Sequence, residues 1–284
     1  MSVLRIGVDA GGTGTRAVVV RDGVVVDRLA EGPLNVLLHP DALDRLTALV
    51  LGSGASEAGL GLAGVRTTGE AARIASELER RTGAAVAVGD DAEVARLGAF
   101  DGGPGVVVIA GTGSIAWGRS ADGRTCRVGG FGYLLGDEGG GYWIGNQAVR
   151  MGLRSADGTG ARHPALETLL CRHFGVAAVQ DIESLVYASP TDRSLLAALV
   201  PALAESTDEG VVELFSRAGD ALALLVASVQ ERLGPLSVAM VGGVWNVPVL
   251  RTRFVGLTGA VDPVQPSDWG ALLLLDQPPV GVAS

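Results

Sequence analysis

Lysine is absent from these 284 residues, so all 22 basic side chains are arginines. A Walker A loop closes on Gly-Lys-Ser/Thr, and that class of phosphate-binding loop is therefore excluded. Cysteine is almost absent as well. Cys126 and Cys171 are too few for a disulfide framework and are not spaced as a metal-binding CxxC pair, so a reducing compartment and two small buried apolar side chains are expected. No stretch reaches the roughly 18 consecutive apolar residues of a membrane helix. Nor does the N-terminus carry a basic segment followed by an apolar stretch and a cleavage site. The expectation is a cytoplasmic chain with no membrane partner. Positive charge is in deficit, with a net charge of −9 and arginines scattered along the chain, which argues against a nucleic-acid surface. A small molecule is the expected partner. The histidines His39, His163 and His173 stand singly, the pattern of structural or surface residues.

What the chain does have is apolar material and glycine. With 48% hydrophobic residues it can build one large core or two modest ones, and two lobes are expected. An internal echo carries the most information. Val3 to Val8 is an apolar run, Asp9-Ala10-Gly11-Gly12-Thr13-Gly14-Thr15 is a turn of tiny and hydroxylated residues, and Ala17 to Val20 is apolar again before Asp22-Gly23 reverses the chain. About a hundred residues later, Val106 to Ile109 leads into Ala110-Gly111-Thr112-Gly113-Ser114, then Ile115-Ala116-Trp117, with a second reversal at Asp122-Gly123. Both turns fit a degenerate GxGxxA pattern, Gly12 to Ala17 and Gly111 to Ala116. A dinucleotide fingerprint requires a helix directly after its glycines, whereas β-branched residues and an Asp-Gly turn follow here. Two β-hairpins are the better description.

Between the copies the patterning predicts helices over Asp41 to Leu51 and Glu70 to Thr82 and a strand over Ala84 to Val88, which together make an α/β lobe. After the second copy come a glycine-dense segment, Gly129 to Gly141, and helices over Tyr142 to Leu153, Pro164 to Phe174, Ser194 to Ala204 and Asp208 to Leu233. A strand over Ser237 to Val241 runs into Gly242-Gly243, and a helix near Trp269 to Leu275 precedes a loose tail from Gln277 to Ser284. The expected domains are an N-terminal lobe over 1–101 and a C-terminal lobe with helical additions over 102–284.

Asp9 ends an apolar strand and is followed by residues with almost no side chain. An unpaired buried carboxylate costs several kcal/mol. A cation bridged to phosphate resolves that; the alternative is a turn aspartate satisfied by backbone N–H groups. Thr13, Thr15, Thr112 and Ser114 add hydroxyls to two turns whose glycines let phosphate approach the backbone. Asp91 stands at the carboxyl end of a strand and opens a helix over Ala92 to Ala99. Either Asp90 or Asp91 can cap that helix, so one caps and one works. Asp137, in Gly136-Asp-Glu-Gly-Gly-Gly141, is either another cap or part of a chain bent around something.

Gly7-Val-Asp-Ala-Gly-Gly-Thr-Gly-Thr15, Ala110-Gly-Thr-Gly-Ser114, Gly136-Asp-Glu-Gly139 with Tyr142-Trp143-Ile144, and Gly242-Gly-Val-Trp245 occur in that order. The chain thus resembles, over nearly its whole length, the N-acetylglucosamine kinase and BadF/BadG branch of the sugar kinase, Hsp70 and actin superfamily. The resemblance implies an α/β fold of two ribonuclease-H-like lobes around an ATP cleft, magnesium as cofactor, a sugar as substrate and a homodimer. It implies phosphate contacts at Gly11, Gly12, Thr13 and Thr15 and at Gly111, Thr112, Gly113 and Ser114, with Asp9 near the metal. Gly242 and Gly243 would lie under the adenosine, with Gly270 and Ala271 near the same pocket. Asp91 matches the catalytic base, and Asn35, Gly64 and Asp137 match sugar-binding positions. The chain departs from the eukaryotic kinases in carrying Ala63-Gly64-Val65 where they have Ser-Gly-Gly, which removes a hydroxyl contact to an acetamido group.

The expected activity is transfer of phosphate from ATP to a hexosamine hydroxyl, O6, with Asp91 as general base. Two other functions share the branch or fold. One is the ATP-driven activator of 2-hydroxyacyl-CoA dehydratases, whose iron–sulfur cluster needs two cysteines per chain. The other is a nucleotide-binding regulator without catalysis.

Overall fold

A computed structural model describes residues 3–189 and 192–277. The first hairpin is built by β1 (Leu4–Ala10) and β2 (Thr15–Arg21), followed by β3 (Val24–Glu31). Asp22 and Gly23 turn β2 into β3 with φ values of 50° and 81°, the left-handed pair a two-residue hairpin requires. Next come α1 (Ala42–Ser53), β4 (Glu57–Leu62), α2 (Thr68–Thr82), β5 (Ala85–Asp90) and α3 (Asp91–Ala99). The second hairpin device is β6 (Gly105–Ala110), β7 (Ser114–Arg119) and β8 (Thr125–Gly129). The helices α4 (Gly141–Ala156), α5 (Pro164–Phe174), α6 (Ile182–Ala188), α7 (Arg193–Ala197), α8 (Val200–Ala204) and α9 (Glu209–Leu233) follow. Then β9 (Val238–Val241), α10 (Pro248–Thr258) and α11 (Ser267–Leu272) complete the described elements.

The chain divides into two compact units, one made of residues up to Val107 together with those from Asp262 onward, the other of Val108–Val261. The division at 101/102 expected from the sequence is contiguous; here the segment after Asp262 packs with the N-terminal part. The first unit holds a five-stranded sheet in the order β3-β2-β1-β4-β5, antiparallel among β1, β2 and β3 and parallel from β1 through β4 to β5. Alternation along the strands gives the sheet two unlike faces. On one, Ile6, Val8, Ala10, Ala17, Val19, Ala58, Leu60 and Leu62 form a core with Leu46 and Val50 of α1 and Leu78 of α2. α2 is locked at both ends by a capping box of Thr67 and Glu70 and a left-handed Gly83.

On the opposite face Val18 and Val20 of β2 pack with Leu272, and β1 and β4 carry glycines. Gly7 lies level with Gly59, and Asp9 with Gly61, across β1 and β4. A Cβ on Gly59 would stand 1.9 Å from the carbonyl oxygen of Ala271, and one on Gly61 2.1 Å from Cγ2 of Val94. Here α11 and α3 therefore lie directly on the strand backbone. This explains β4, a strand the sequence pattern did not predict: glycine is depleted in strands unless another backbone comes close.

The second unit holds a sheet in the order β8-β7-β6-β9, with β7 and β8 antiparallel and α9 packed against them. The indole N–H of buried Trp245 donates to the carbonyls of Val241 at 2.9 Å and Val108 at 3.3 Å, so this tryptophan is a packing residue that ties β9 to β6. The single helix expected over Ser194 to Ala204 is interrupted, restarting as α8 with Pro201 in its first turn, because proline has no N–H to continue the preceding ladder. Two helices, α6 and α10, were not anticipated. Of the loose tail expected from Gln277, residues 278–284 lie outside the described residues. Among the described residues no helix is long and apolar enough to cross a membrane.

Candidate active site: two glycine turns and an aspartate cluster

The first turn is closed by Gly11 N–H on the carbonyl of Gly14 at 3.0 Å and braced from behind by Leu34 N–H on the carbonyl of Gly11 at 3.1 Å. Gly12 and Thr13 are exposed at its tip, and a Cβ on Gly12 would meet nothing within 4 Å. Thr15 is different. It is 2% exposed and its hydroxyl donates to the carbonyl of Gly32 at 3.0 Å.

The second turn repeats this arrangement with other braces. Gly111 N–H bonds the carbonyl of Gly113 at 3.0 Å, while Gly141 and Tyr142, at the start of α4, donate to the carbonyls of Gly111 and Thr112 at 2.7 and 2.9 Å. Ser114, at the position equivalent to Thr15, is 4% exposed and donates to the carbonyl of Glu138 at 2.8 Å. Two of the four hydroxyls expected at phosphate are thus bonded to loops behind the turns. Thr15 and Ser114 are turn anchors, which leaves Thr13 and Thr112 as the hydroxyls of the turns proper.

The glycine-dense segment is bent around the second turn itself. Asp137 holds a left-handed φ of 62°, is 6% exposed, and accepts the backbone N–H groups of Ser114 and Gly132. Burial raises its pKa above the usual carboxylate value, and those hydrogen bonds oppose the rise. A Cβ on Gly113 would stand 2.4 Å from Oδ2 of Asp137, so Gly113 is required by packing. Asp137, expected at the sugar, is accounted for as a brace of the second turn.

Gly242 has a φ of 112° and lies so close to β6 that a Cβ would fall 2.4 Å from the carbonyl oxygen of Ala110. Gly243 beside it is exposed with open space around it. Gly270 and Ala271, expected near adenosine, are both buried: a Cβ on Gly270 would be 1.9 Å from the carbonyl oxygen of Val94. Both are packed in the contact of α11 with α3 and β4.

The chemistry-bearing side chains gather in the first unit. Asp90 caps α3, its Oδ1 accepting Ala92 N–H at 2.6 Å. Of the two aspartates that could cap the helix, Asp90 does so. Asp91, the first residue of α3, has its pKa pushed up to about 7, first by burial and then by the charges of Asp90 and Asp9. Because the neighbouring carboxylates share protons, the rise belongs to the group and not to one side chain alone. Asp9 is raised to about 6, first by burial and then by Asp268, against the opposing charge of Arg16 and a hydrogen bond from the Ser267 hydroxyl. Asp9 is therefore an undercompensated carboxylate.

That excess of negative charge fits a hard cation. Magnesium takes one or two carboxylates and completes its shell with water and phosphate oxygens. Among the described residues no group of three His, Cys, Asp or Glu side chains forms a ready-made cage, which is consistent with a cation that arrives with a nucleotide.

Asn35 and Gly64 lie against each other. Oδ1 of Asn35 accepts Leu37 N–H at 2.9 Å, and a Cβ on Gly64, whose φ is 98°, would lie 2.7 Å from that same oxygen. The carboxamide N–H groups of Asn35 are not used in this turn. His39 is structural, its Nδ1 accepting Asn35 N–H at 2.9 Å. A cavity of about 370 Å³ opens beside Gly64, lined by Val36, Leu37, Leu43, Val65 and Ile74 with Arg73 at its edge.

Two sheets, each entered through a strand, a glycine turn and a second strand, with carboxylates at the strand ends, define the actin-like ATPase fold shared by sugar kinases. The chain belongs to the BadF/BadG/BcrA/BcrD ATPase family, whose model matches residues 6–257. It is 31% identical over 208 residues to an N-acetylmuramic acid/N-acetylglucosamine kinase of Clostridium acetobutylicum, covering 68% of this chain and 67% of that one. An N-acetyl-D-glucosamine kinase of Dictyostelium discoideum is 34% identical over 134 residues, 46% of this chain and 42% of its own length. Among solved structures, a candidate N-acetylglucosamine kinase of Chromobacterium violaceum superposes with a TM-score of 0.79 at 29% identity, over 96% of this chain and 99% of the other. A glucokinase of the ROK family from Streptomyces griseus, solved with glucose and AMPPNP, shares the fold at a TM-score of 0.58 and 18% identity, over 96% and 98%.

Proposed function

We propose that this chain is an ATP-dependent kinase that phosphorylates a hydroxyl, O6, of an amino sugar. One observation carries the assignment of roles: two adjacent aspartates open α3, and because Asp90 supplies the cap, Asp91 is available for chemistry at a pKa of about 7. A general base works best when its pKa lies near the operating pH. In this scheme Asp91 accepts the proton of the sugar hydroxyl as that oxygen bonds to the γ-phosphorus, and the bond from the γ-phosphorus to the bridging oxygen breaks to release ADP. Magnesium, bound with ATP, would neutralise charge on the phosphates, and Asp9 is the residue to hold it.

The backbone N–H groups of Gly12 and Thr13 are the donors the first turn offers to phosphate oxygens, and that of Thr112 is the donor of the second turn. Gly243 is the open surface left for the adenosine. Asn35 and Gly64 orient the sugar. N-acetylglucosamine, N-acetylmuramic acid and glucosamine are the acceptors to test, the first two because they name the relatives' substrates.

The redox-activator alternative requires cysteines placed to hold an iron–sulfur cluster. Cys126 is instead buried on β8 in contact with Nη1 of Arg232 at 3.7 Å, and Cys171 sits on α5, which favours the kinase. ADP release, followed by a coupled assay across the three amino sugars and glucose, tests the proposal. Stimulation by at least one amino sugar is the expected result; no stimulation by any sugar would overturn it.

A further inference from the structure

The two positions given to the sugar, Asn35 and Gly64, stand on one wall of the first unit. Val36 N–H donates to the carbonyl of Ala63 at 3.1 Å, so the loop that carries Asn35 is tied, backbone to backbone, to the loop that carries Gly64. A Cβ on Gly64 would lie 3.1 Å from Cγ of Leu37, which puts that side chain, 60% exposed, beside the same glycine. The cavity of about 370 Å³ begins here and runs between α1 and α2, with Leu43 from one and Ile74 from the other among its walls.

Its size and lining restrict what can fill it. Small-ligand pockets span about 300–1,000 Å³. An acetyl group alone would leave most of this one empty, and a sugar ring would set its hydroxyls against Val36, Leu37, Leu43, Val65 and Ile74, which offer them no hydrogen bonds. A short hydrocarbon arm is the better fit. Arg73 bears on what such an arm carries at its end. It is exposed and lies at the edge of the cavity. The two carboxylates on the same stretch of α2 are engaged elsewhere. Glu70 accepts the N–H groups of Arg66 and Thr67 at 3.0 and 3.1 Å, and Glu77 sits between Arg80 at 2.7 Å and Arg81 at 2.6 Å. That leaves the guanidinium of Arg73, a planar fork that matches a carboxylate, as the group at the edge to meet an anion.

We propose that this cavity is a subsite for an acidic substituent of the amino sugar: an ether-linked arm whose hydrocarbon part lies against the apolar walls and whose carboxylate pairs with Arg73. The lactyl ether of N-acetylmuramic acid has this chemistry. The proposal rests on the kinase reading and on Asn35 and Gly64 seating the sugar. It makes Arg73 a determinant of specificity, because apolar walls alone separate closely related substrates weakly, whereas a charged partner left unpaired separates them strongly.

The test is steady-state kinetics with N-acetylmuramic acid and N-acetylglucosamine on the unaltered chain and on Arg73→Gln, Arg73→Glu and Arg73→Lys, with melting temperatures to show that each variant folds. Arg73→Gln is expected to raise the KM for N-acetylmuramic acid about tenfold, as loss of a hydrogen bond to a charged group does, and to leave that for N-acetylglucosamine within twofold. Arg73→Glu raises it further, and Arg73→Lys recovers part of the loss. Added salt narrows the gap between the unaltered chain and Arg73→Gln. Equal changes for both sugars, no change for either, or an unaltered chain that phosphorylates N-acetylglucosamine but not N-acetylmuramic acid would overturn the subsite and leave the kinase reading standing. No phosphorylation of any sugar would overturn the kinase reading itself.

Discussion

Ala10 and Ala110 end the leading strands of the two hairpins, and Thr15 and Ser114 begin the following ones with the same buried hydroxyl bonded to a carbonyl behind the turn. The residue before the alanine is Asp9 in the first copy and Ile109 in the second. The braces differ too. A loop at Gly32 to Leu34 holds the first turn, whereas the start of α4 and the carboxylate of Asp137 hold the second. One backbone device therefore serves two chemical purposes. Both copies present N–H groups, but only the first is set in a field of carboxylates: Asp9, Asp90, Asp91 and Asp268. In the proposed scheme the first unit handles cation and proton while the second contributes neutral donors.

The largest expected effect breaks the comparison at its charged end. Asp91→Asn should lower kcat about 10²–10⁴-fold with little change in sugar KM, as measured by steady-state kinetics. Retention of activity within a few fold would move the base elsewhere. The same group sets the pH response. The base must be deprotonated to act, so kcat/KM of the unaltered chain should rise with pH through about 7 and then level off.

Stability should run the other way. The folded pKa of Asp91, about 7, lies above the ordinary 3.8, so between those values the folded state keeps a proton the unfolded chain has released. Its contribution is complete below the ordinary value and is lost as pH rises through the folded one. Asp91→Asn escapes that loss. Its melting temperature relative to the unaltered chain should climb between about pH 4 and pH 7 and level off above that.

A smaller effect sharpens the comparison of the turns. Gly12→Ala and Gly111→Ala meet no atom within 4 Å, so each should leave thermal stability unaltered. If phosphate approaches both backbones, each should also raise the ATP KM by about tenfold, a difference of about 1.4 kcal/mol. Gly113→Ala is the contrast, because its Cβ would press on Asp137 and overpacking of this kind costs about 1–3 kcal/mol of stability. A change in ATP KM confined to one turn would show that the copies are not functionally equivalent.

The smallest effect on ATP binding is expected of Thr15→Ala and Ser114→Ala. Each strips a donor from a carbonyl in a packed loop, a loss of about 1–3 kcal/mol measurable by denaturant unfolding. As turn anchors they should leave the ATP KM within twofold. A large rise in KM with unaltered stability would return those hydroxyls to the phosphate.

Much of this was legible in the sequence because it is written locally. Alternating apolar residues around Asp-Gly and glycine-rich turns specify hairpins within about 20 residues, and the echo of the first hairpin in the second needs no tertiary information. Asp90-Asp91 before a helical pattern likewise announces a cap with a spare carboxylate. The misses share a cause. Gly59 and Gly61 look unlike strand residues until α11 and α3 are laid across them. The bonds of Asp137 to Ser114 and Gly132 and the contact of Gly270 with Val94 are likewise invisible in a local pattern.

The sequence by itself determined the two hairpin turns, the aspartates at their strand ends and the family to which the chain belongs, since each depends on residue order over a short span. Only the tertiary structure decided which of those residues face a ligand and which hold the turns in place. It alone returned the segment after Asp262 to the first sheet. The physical reason is that glycine, serine and threonine are small enough to serve either close packing or ligand contact, and only the neighbours that a distant part of the chain supplies distinguish the two.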